Sequence, residues 1–367
     1  KSSVCTKEEK ITRCNIEVFV DNLKQIPSII NAPLRVLSFD IECISFEPNT
    51  FPTAKNCPVI QCSFALQVNN KIIDKTVYCL HETSGIPTGS IKYFRDESTL
   101  LYEIRNYIIK NDIDILTGYN TDGFDIKYLI DRSIALGMQN IFTDLTKLYN
   151  TPLNHKKMIT HSNQQGHVEN VRIFSPGIIS MDLLPIMRKT LKLRSYSLNN
   201  VSKEILNNQK EDMPYKLIPI YFKESAEKRA EIAKYCLKDS ILVLDLMNNL
   251  MVLLNNIAFS QTLGITMYDS IVRGQSFKLF SKILQYSRNN NFLVETYDRD
   301  SDGYVKIPIY ELIVNEKDKI EKKQKKTYQK RIFETINRTN PYPGAIKKTN
   351  THLKYEGAIV LTPKTGH

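Results

Sequence analysis

The run Leu34-Arg35-Val36-Leu37-Ser38-Phe39-Asp40-Ile41-Glu42-Cys43 constrains the fold more than any other stretch of the chain. It reads as a strand, apolar and partly β-branched, yet it carries two carboxylates. Residues i and i+2 of a strand point to one face, so Asp40 and Glu42 project together. Two acids on the face of a buried strand repel each other and lose hydration, and a divalent cation is the usual compensation. An Asp-x-Glu tripeptide is common by chance. The apolar residues before and between these two acids give it weight.

The surrounding pattern is that of an α/β layer. Val59 to Val68 and Lys71 to Leu80 read as two strands. Asn69-Asn70 between them suits a tight hairpin, because Asn tolerates the left-handed conformation. Asp96 or Ser98 is placed to cap a helix whose apolar residues are Leu100, Leu101, Ile104, Tyr107 and Ile108. A short strand at Ile113 to Thr117 precedes a helix from about Phe124 to Leu136, with Gly137 as its stop. Residues 140–180 look loop-rich. Val168 to Phe174 and Gly177 to Met181 flank the turn signal Ser175-Pro176-Gly177 and are expected to form a hairpin. Asp182 opens a helix to about Leu193. Ser225 opens a longer one that runs past Leu254 without Gly or Pro, and residues 270–288 again look helical. Strands first and helices interleaved afterwards predict a mixed sheet flanked by helices.

Two further acidic positions stand on regular elements. Asp125 follows Tyr119-Asn120-Thr121-Asp122-Gly123-Phe124 near a helix start, where the helix dipole alone favours a carboxylate. Asp239 lies in Tyr235-Cys236-Leu237-Lys238-Asp239 inside the long helix, one turn after Tyr235 and on the same face. Asp has poor propensity in mid-helix, and Ile241, Leu242 and Leu244 nearby suggest burial. Four carboxylates converging from three elements could hold two Mg²⁺ ions, an arrangement suited to in-line attack on a phosphodiester.

Other features have plainer readings. The 367 residues are 42 % hydrophobic, enough for one large domain or two. The net charge of +11 fits a nucleic-acid partner or merely a solubilising surface. Seven cysteines without a Cys-x-x-Cys pair argue against a disulfide framework or zinc ribbon, and for a reducing, intracellular setting. No apolar stretch approaches the roughly 20 residues of a membrane span. Residues 315–331 hold eight Lys or Arg against three acids, a solvated run or a nonspecific phosphate contact. His155, His161 and His167 sit in a polar, loop-like stretch and read as ordinary surface rather than zinc ligands. Cys43 and Cys236 read as small buried hydrophobes, Asp182 as a helix cap, and Asp122 as a solvent-facing turn residue.

The motifs Phe39-Asp40-Ile41-Glu42, Tyr119-Asn120 with Phe124-Asp125, and Tyr235 to Asp239 resemble, in order and spacing, the three exonuclease motifs of family B DNA polymerases. The runs Ala32 to Cys43, Lys192-Leu193-Arg194-Ser195-Tyr196-Ser197-Leu198-Asn199 and Tyr235 to Asp239 are similar to the delta type. Arg273-Gly274-Gln275 and Tyr355-Glu356-Gly357-Ala358 resemble the segments joining exonuclease to palm. The resemblance implies a ribonuclease-H-like fold and a proofreading 3′–5′ exonuclease. It implies that Asp40, Glu42, Asp125 and Asp239 bind two Mg²⁺ ions (Mn²⁺ as an alternative) and that Tyr235 orients the attacking water. DNA contacts are implied for Asn120, Phe124, Arg273, Tyr355 and Gly357. It also implies a primer–template and a single-stranded 3′ end as partners, a sliding clamp, accessory subunits, and work in a nucleus or a viral replication compartment. On this reading residues 1–33 are the remnant of an N-terminal domain and 34–260 the exonuclease domain. Residues 261–367 lead towards a palm, with a basic insertion at about 298–350 that departs from the family and suggests a viral or protist lineage. The polymerase carboxylates are expected beyond His367. A noncatalytic scaffold would not need the four acids, and a stand-alone nuclease would not need the joining segments.

Overall fold

The computed structural model describes residues 31–292, apart from 46, 48–49, 139–140, 163–165 and 208–212, together with 12–14, 17 and two short strands at 298–299 and 305–306. Two compact units are present, residues 1–281 and 282–367. Most of 1–33, the basic run 315–331, Tyr355 and Gly357 lie outside the described residues.

In the first unit the strands are β1 (Arg35–Cys43), β2 (Val59–Val68), β3 (Lys71–Leu80), β4 (Ser90–Phe94), β5 (Ile115–Gly118), β6 (Asn154–Ser162), β7 (Gly166–Phe174) and β8 (Ile179–Asp182). The helices are α1 (Glu97–Lys110), α2 (Asp125–Ala135), α3 (Leu183–Thr190), α4 (Leu198–Leu206), α5 (Ile218–Glu224), α6 (Ala226–Asn249), α7 (Val252–Leu263) and α8 (Met267–Val272), followed by α9 (Gln275–Asn289). Two-residue strands β9 (Asp298–Arg299) and β10 (Val305–Lys306) pair with each other.

Six strands form a mixed sheet in the order β4-β3-β2-β1-β5-β8. β1, β2 and β3 run antiparallel, while β4, β5 and β8 lie parallel to their inner neighbours. This is the ribonuclease-H-like layout expected from the sequence. The β2–β3 turn is the anticipated one: Asn69 and Asn70 both adopt positive φ, 50° and 59°, as a two-residue hairpin turn requires. Asp96 caps α1 by accepting from the Thr99 amide at 2.8 Å, and all five apolar residues named for that helix are buried.

The two faces of the sheet differ, and the difference positions the site. Leu37, Phe39 and Ile41 of β1 with Cys62, Phe64 and Leu66 of β2 join one core with α1 and α2. The alternate residues point the other way. Val36 and Ala65 meet Val243, Leu244 and Met247 of α6 in a second core, and Val77 and Cys79 of β3 meet Ala233 and Leu237. That second face also carries Asp40, Glu42, Gln61 and Ser63 by strand alternation. Its small residues let α6 lie close across β1, β2 and β3. A Cβ at Gly89 would come within 2.7 Å of Leu237 Cδ2, so the loop before β4 must also stay slim there.

Several expectations need correction. β7 pairs with β6, and His161 lies opposite His167 on those strands, so the stretch around the three histidines is a hairpin rather than a loop. The turn at 175–177 makes only a bridge between Ser175 and Ile178. The mostly buried β8 joins the main sheet beside β5 instead. The long helix opened by Ser225 is two helices bent by 48° at Leu250-Met251, with Met251 at φ 51°. The stretch 270–288 is likewise split between α8 and α9 around Gly274. Among the described residues no single helix is long and apolar enough to cross a membrane.

Candidate active site

Asp40 and Glu42 stand near the end of β1 and are half-buried. β5 pairs with β1 only from Val36 to Ser38 and then turns away at Gly118. Beyond Ser38 the Asp125 side chain approaches the β1 backbone beside the two acids. Its Oδ1 accepts a hydrogen bond from the Ile41 amide at 3.2 Å.

The turn that delivers Asp125 is tightly specified. Asn120 adopts φ 69°, and its carbonyl accepts from the Gly123 and Phe124 amides at 3.0 and 2.9 Å. A Cβ on Gly118 would lie 2.1 Å from Thr121 Cγ2 and 2.8 Å from the Phe39 carbonyl oxygen, so only glycine lets the turn fold back on β1. Asp182 anchors the turn from β8. It caps α3 through the Leu184 amide at 3.0 Å, as expected, and also accepts from the amides of Asn120 (2.8 Å) and Asp122 (3.2 Å). Asp122 does not face solvent. It is 2 % exposed, accepts from the Ser180 hydroxyl at 2.5 Å and has the Arg172 guanidinium 4.0 Å away. The sequence showed a turn there but not that β8 would close over it.

Burial sets the protonation of these acids. It pushes the Asp122 carboxyl up to about 7, with the nearby Asp182 raising it further and the Ser180 hydroxyl pulling it down. Asp125 is also pushed up by burial, against the pull of the Ile41 and helix amides. The same cause raises Asp182. These are acids that gain from a nearby cation.

Asp239 is buried on α6. One turn earlier, the fully buried Cys236 places its Sγ 3.7 Å from Asp40 Oδ2 and 3.5 Å from the Asp40 carbonyl oxygen. Asp40, Glu42 and Cys236 bring one ligand atom each within 4.8 Å of one another, a tight trio that excludes Asp125 and Asp239. Burial, reinforced by Asp40 and Glu42, raises the Cys236 thiol well above its usual value, so it packs as a neutral S–H. That agrees with its reading as a small hydrophobe. Hard carboxylate oxygens dominate the donor set, which suits a divalent metal that prefers oxygen.

A cleft of about 580 Å³ opens beside Glu42 and is lined by Ile41, Phe51, Phe124, Tyr215, Lys216 and Ile218. The Phe51 and Phe124 rings meet edge to face with centroids 5.6 Å apart. Phe51, Tyr215 and Lys216 were not legible as site residues: Phe51 lies in an irregular segment, and Tyr215 and Lys216 in a single 3-10 turn too short to show a period. The loop behind Phe51 is held from outside the cleft. Arg132 donates to the Ala54 and Lys55 carbonyls at 3.1 Å and forms a two-pronged pair with Glu97, at 2.6 and 2.9 Å. Tyr235 is half-buried and opens on a neighbouring hollow lined by Met213, Pro214, Leu217, Tyr221, Lys234 and Lys238. Arg273 ends α8, paired with Asp269 at 3.3 Å and lying over the Phe277 ring, and does not line the cleft. The run Lys192–Asn199 leads from α3 into α4. Within it Ser197 caps α4, and the Tyr196 carbonyl accepts from the Tyr119 hydroxyl at 2.5 Å.

The family model described as DNA polymerase family B, exonuclease domain, matches residues 1–201. The DNA polymerase delta catalytic subunit of Plasmodium falciparum is 31 % identical over 375 residues, covering 98 % of this chain and 29 % of the relative. Those of Dictyostelium discoideum and Glycine max are 34 % and 35 % identical, covering 81 % and 72 % of this chain and 27 % and 24 % of theirs. The chain thus spans under a third of the length of these relatives. The segment Tyr235 to Asp239 lies beyond the family-model match, but an alignment along 98 % of the chain takes it in. By the exonuclease-domain match and that alignment, the chain belongs to the family B DNA polymerases.

Proposed function

We propose that this chain carries a 3′–5′ exonuclease that trims single-stranded or frayed 3′ ends of DNA, the proofreading part of a delta-type polymerase. The observation that carries the reading is the Asp125 carboxylate seated on the Ile41 amide, between two acids that already share one strand face. Asp40, Glu42, Asp125 and Asp239 would hold two Mg²⁺ ions, with Mn²⁺ as an alternative. When bound, such ions activate water and stabilise charge on the phosphodiester.

The chain's own groups supply the rest. The aromatic cleft beside Glu42 would seat the terminal nucleotide, with Phe124 and Phe51 against its base or sugar. Tyr235 would orient the attacking water through its hydroxyl. Cys236 keeps the floor under Asp40 dry and neutral. Asn120, which shapes the turn before Asp125, is read with Arg273, Tyr355 and Gly357 as a contact to DNA. Residues 34–260 would be the exonuclease domain. Residues 261–367 would lead towards a palm. A primer–template, a sliding clamp and accessory subunits would be the partners, in a nucleus or a viral replication compartment. The long basic stretch at about 298–350 suggests a viral or protist source.

The test is digestion of a 5′-labelled single strand with Mg²⁺. The expected result is a ladder shortening from the 3′ end that EDTA stops. Internal cuts, or cleavage that persists in EDTA, would overturn the reading.

A further inference from the structure

On β2, three polar side chains lie on the face that meets α6, and each is at most 1 % exposed: Gln61, Ser63 and Gln67. Such groups are costly on a central strand unless they are bonded. All three bond to α6, Gln61 through its amide nitrogen only. Gln61 Nε2 donates to the Arg229 carbonyl at 2.8 Å. Ser63 Oγ lies 2.8 Å from the Cys236 carbonyl oxygen and 2.7 Å from Ser240 Oγ. Gln67 and Asn248 exchange two amide hydrogen bonds, at 3.1 and 2.8 Å.

The proton count fixes the direction of the middle contact. A carbonyl can only accept, so the Ser63 hydroxyl proton goes to Cys236 and the Ser240 hydroxyl donates to Ser63. The spacings also agree. Ser63 to Gln67 is four strand residues, roughly 13 Å, and Ser240 to Asn248 is eight helical residues, about 12 Å. Apolar packing holds a helix close to a sheet but resists sliding only weakly. A slip of one residue would move α6 by about 1.5 Å and turn it by about 100°, and both polar contacts would break.

The register held in this way is that of the site. Ser63 is the cross-strand partner of Asp40. Ser240 follows Asp239 in the chain, and Cys236 touches Asp40. We infer that Ser63, through Ser240 and the Cys236 carbonyl, is a positioning residue that sets the Asp239 turn of α6 against Asp40 and so tunes metal affinity. This rests on the proposed reading that Asp40 and Asp239 hold metal together.

The experiment is calorimetric titration of the DNA-free chain with Mn²⁺, alongside thermal melting. The proteins are the wild type, Ser63→Ala, Ser240→Ala and Val77→Ala. Val77→Ala removes apolar packing under the same helix, directly beside Ser63, but deletes no polar group. Ser240→Ala introduces the best helix former at its position, and the melting curves check that it folds. The serine variants should bind Mn²⁺ on the order of 10–100-fold more weakly, the scale of other residues that orient metal ligands. Val77→Ala should lower the melting temperature and leave Mn²⁺ affinity unchanged. Wild-type affinity in both serine variants, or an equal loss in Val77→Ala, would overturn the positioning role while leaving the exonuclease reading intact. Absence of Mn²⁺ binding by the wild type would overturn both.

Discussion

The Asp125 carboxylate accepts a hydrogen bond from the backbone amide of Ile41, 3.2 Å away, the residue between Asp40 and Glu42. One bond thus joins the start of α2 to the end of β1 where β5 has turned away. An amide and a helix N-terminus both favour negative charge there, which offsets part of the cost of burying the acid.

Asp125→Asn keeps an oxygen able to accept from Ile41 but removes the charge. The fold should stay as stable as the wild type or gain slightly, because a buried carboxyl no longer has to be accommodated. Single-turnover degradation of a single strand should fall on the order of a thousandfold, the scale of losing a few kcal/mol of transition-state stabilisation. A rate within about threefold of wild type would remove Asp125 from the chemistry.

Tyr235→Phe should slow the reaction without abolishing it. One hydrogen bond to water is worth roughly 1–3 kcal/mol, or about tenfold to hundredfold in rate. Rapid-quench kinetics would show the difference. A variant as inactive as Asp239→Ala would mean that the phenol does more than orient water.

Stability should depend on pH through Asp122. Its folded pKa of about 7 lies above the ordinary value near 3.9, so between those limits the native state holds a proton the unfolded chain has lost. The native state is therefore favoured below about pH 4, and that advantage is lost as pH rises through 7. Asp122→Asn, which can still accept from Ser180, should match the wild type near pH 4 and exceed it at pH 8. Denaturant midpoints across that range provide the measurement, and parallel curves for the two proteins would contradict it.

Breaking the Glu97–Arg132 pair should be expensive. Both side chains are about nine-tenths buried, and Arg132 also holds two carbonyls of the loop behind Phe51. Arg132→Met should destabilise the chain by roughly 3–5 kcal/mol, because the buried Glu97 loses its cation partner and keeps only the Val59 amide and the helix start. The double variant Glu97→Gln/Arg132→Met should recover part of the loss. Equal midpoints for wild type and Arg132→Met in urea would show that the pair contributes nothing.

Much of this architecture was legible in the sequence, for identifiable reasons. The alternation in β1 placed Asp40 and Glu42 on one face, Asn69-Asn70 marked its hairpin, and Asp96 its helix. What escaped was decided by distant packing. Asp122 looked like a turn residue until β8 covered it, and β8 looked like half of a hairpin until β5 offered a buried edge. The bend at Met251 has no Gly or Pro to announce it. The aromatic wall of the cleft comes from an irregular segment at Phe51 and a single 3-10 turn at Tyr215, both too short to show a period.

The central claim is that carboxylates converging on the end of β1 run a metal-dependent 3′–5′ exonuclease. It is tested most directly by comparing the wild type with Asp40→Ala/Glu42→Ala on a 5′-labelled single strand in Mg²⁺, with thermal melting of both. The account predicts a 3′-shortening ladder for the wild type and none for the variant, whose melting temperature should be no lower, because two repelling carboxylates are gone. Undiminished degradation by a folded double variant would contradict it.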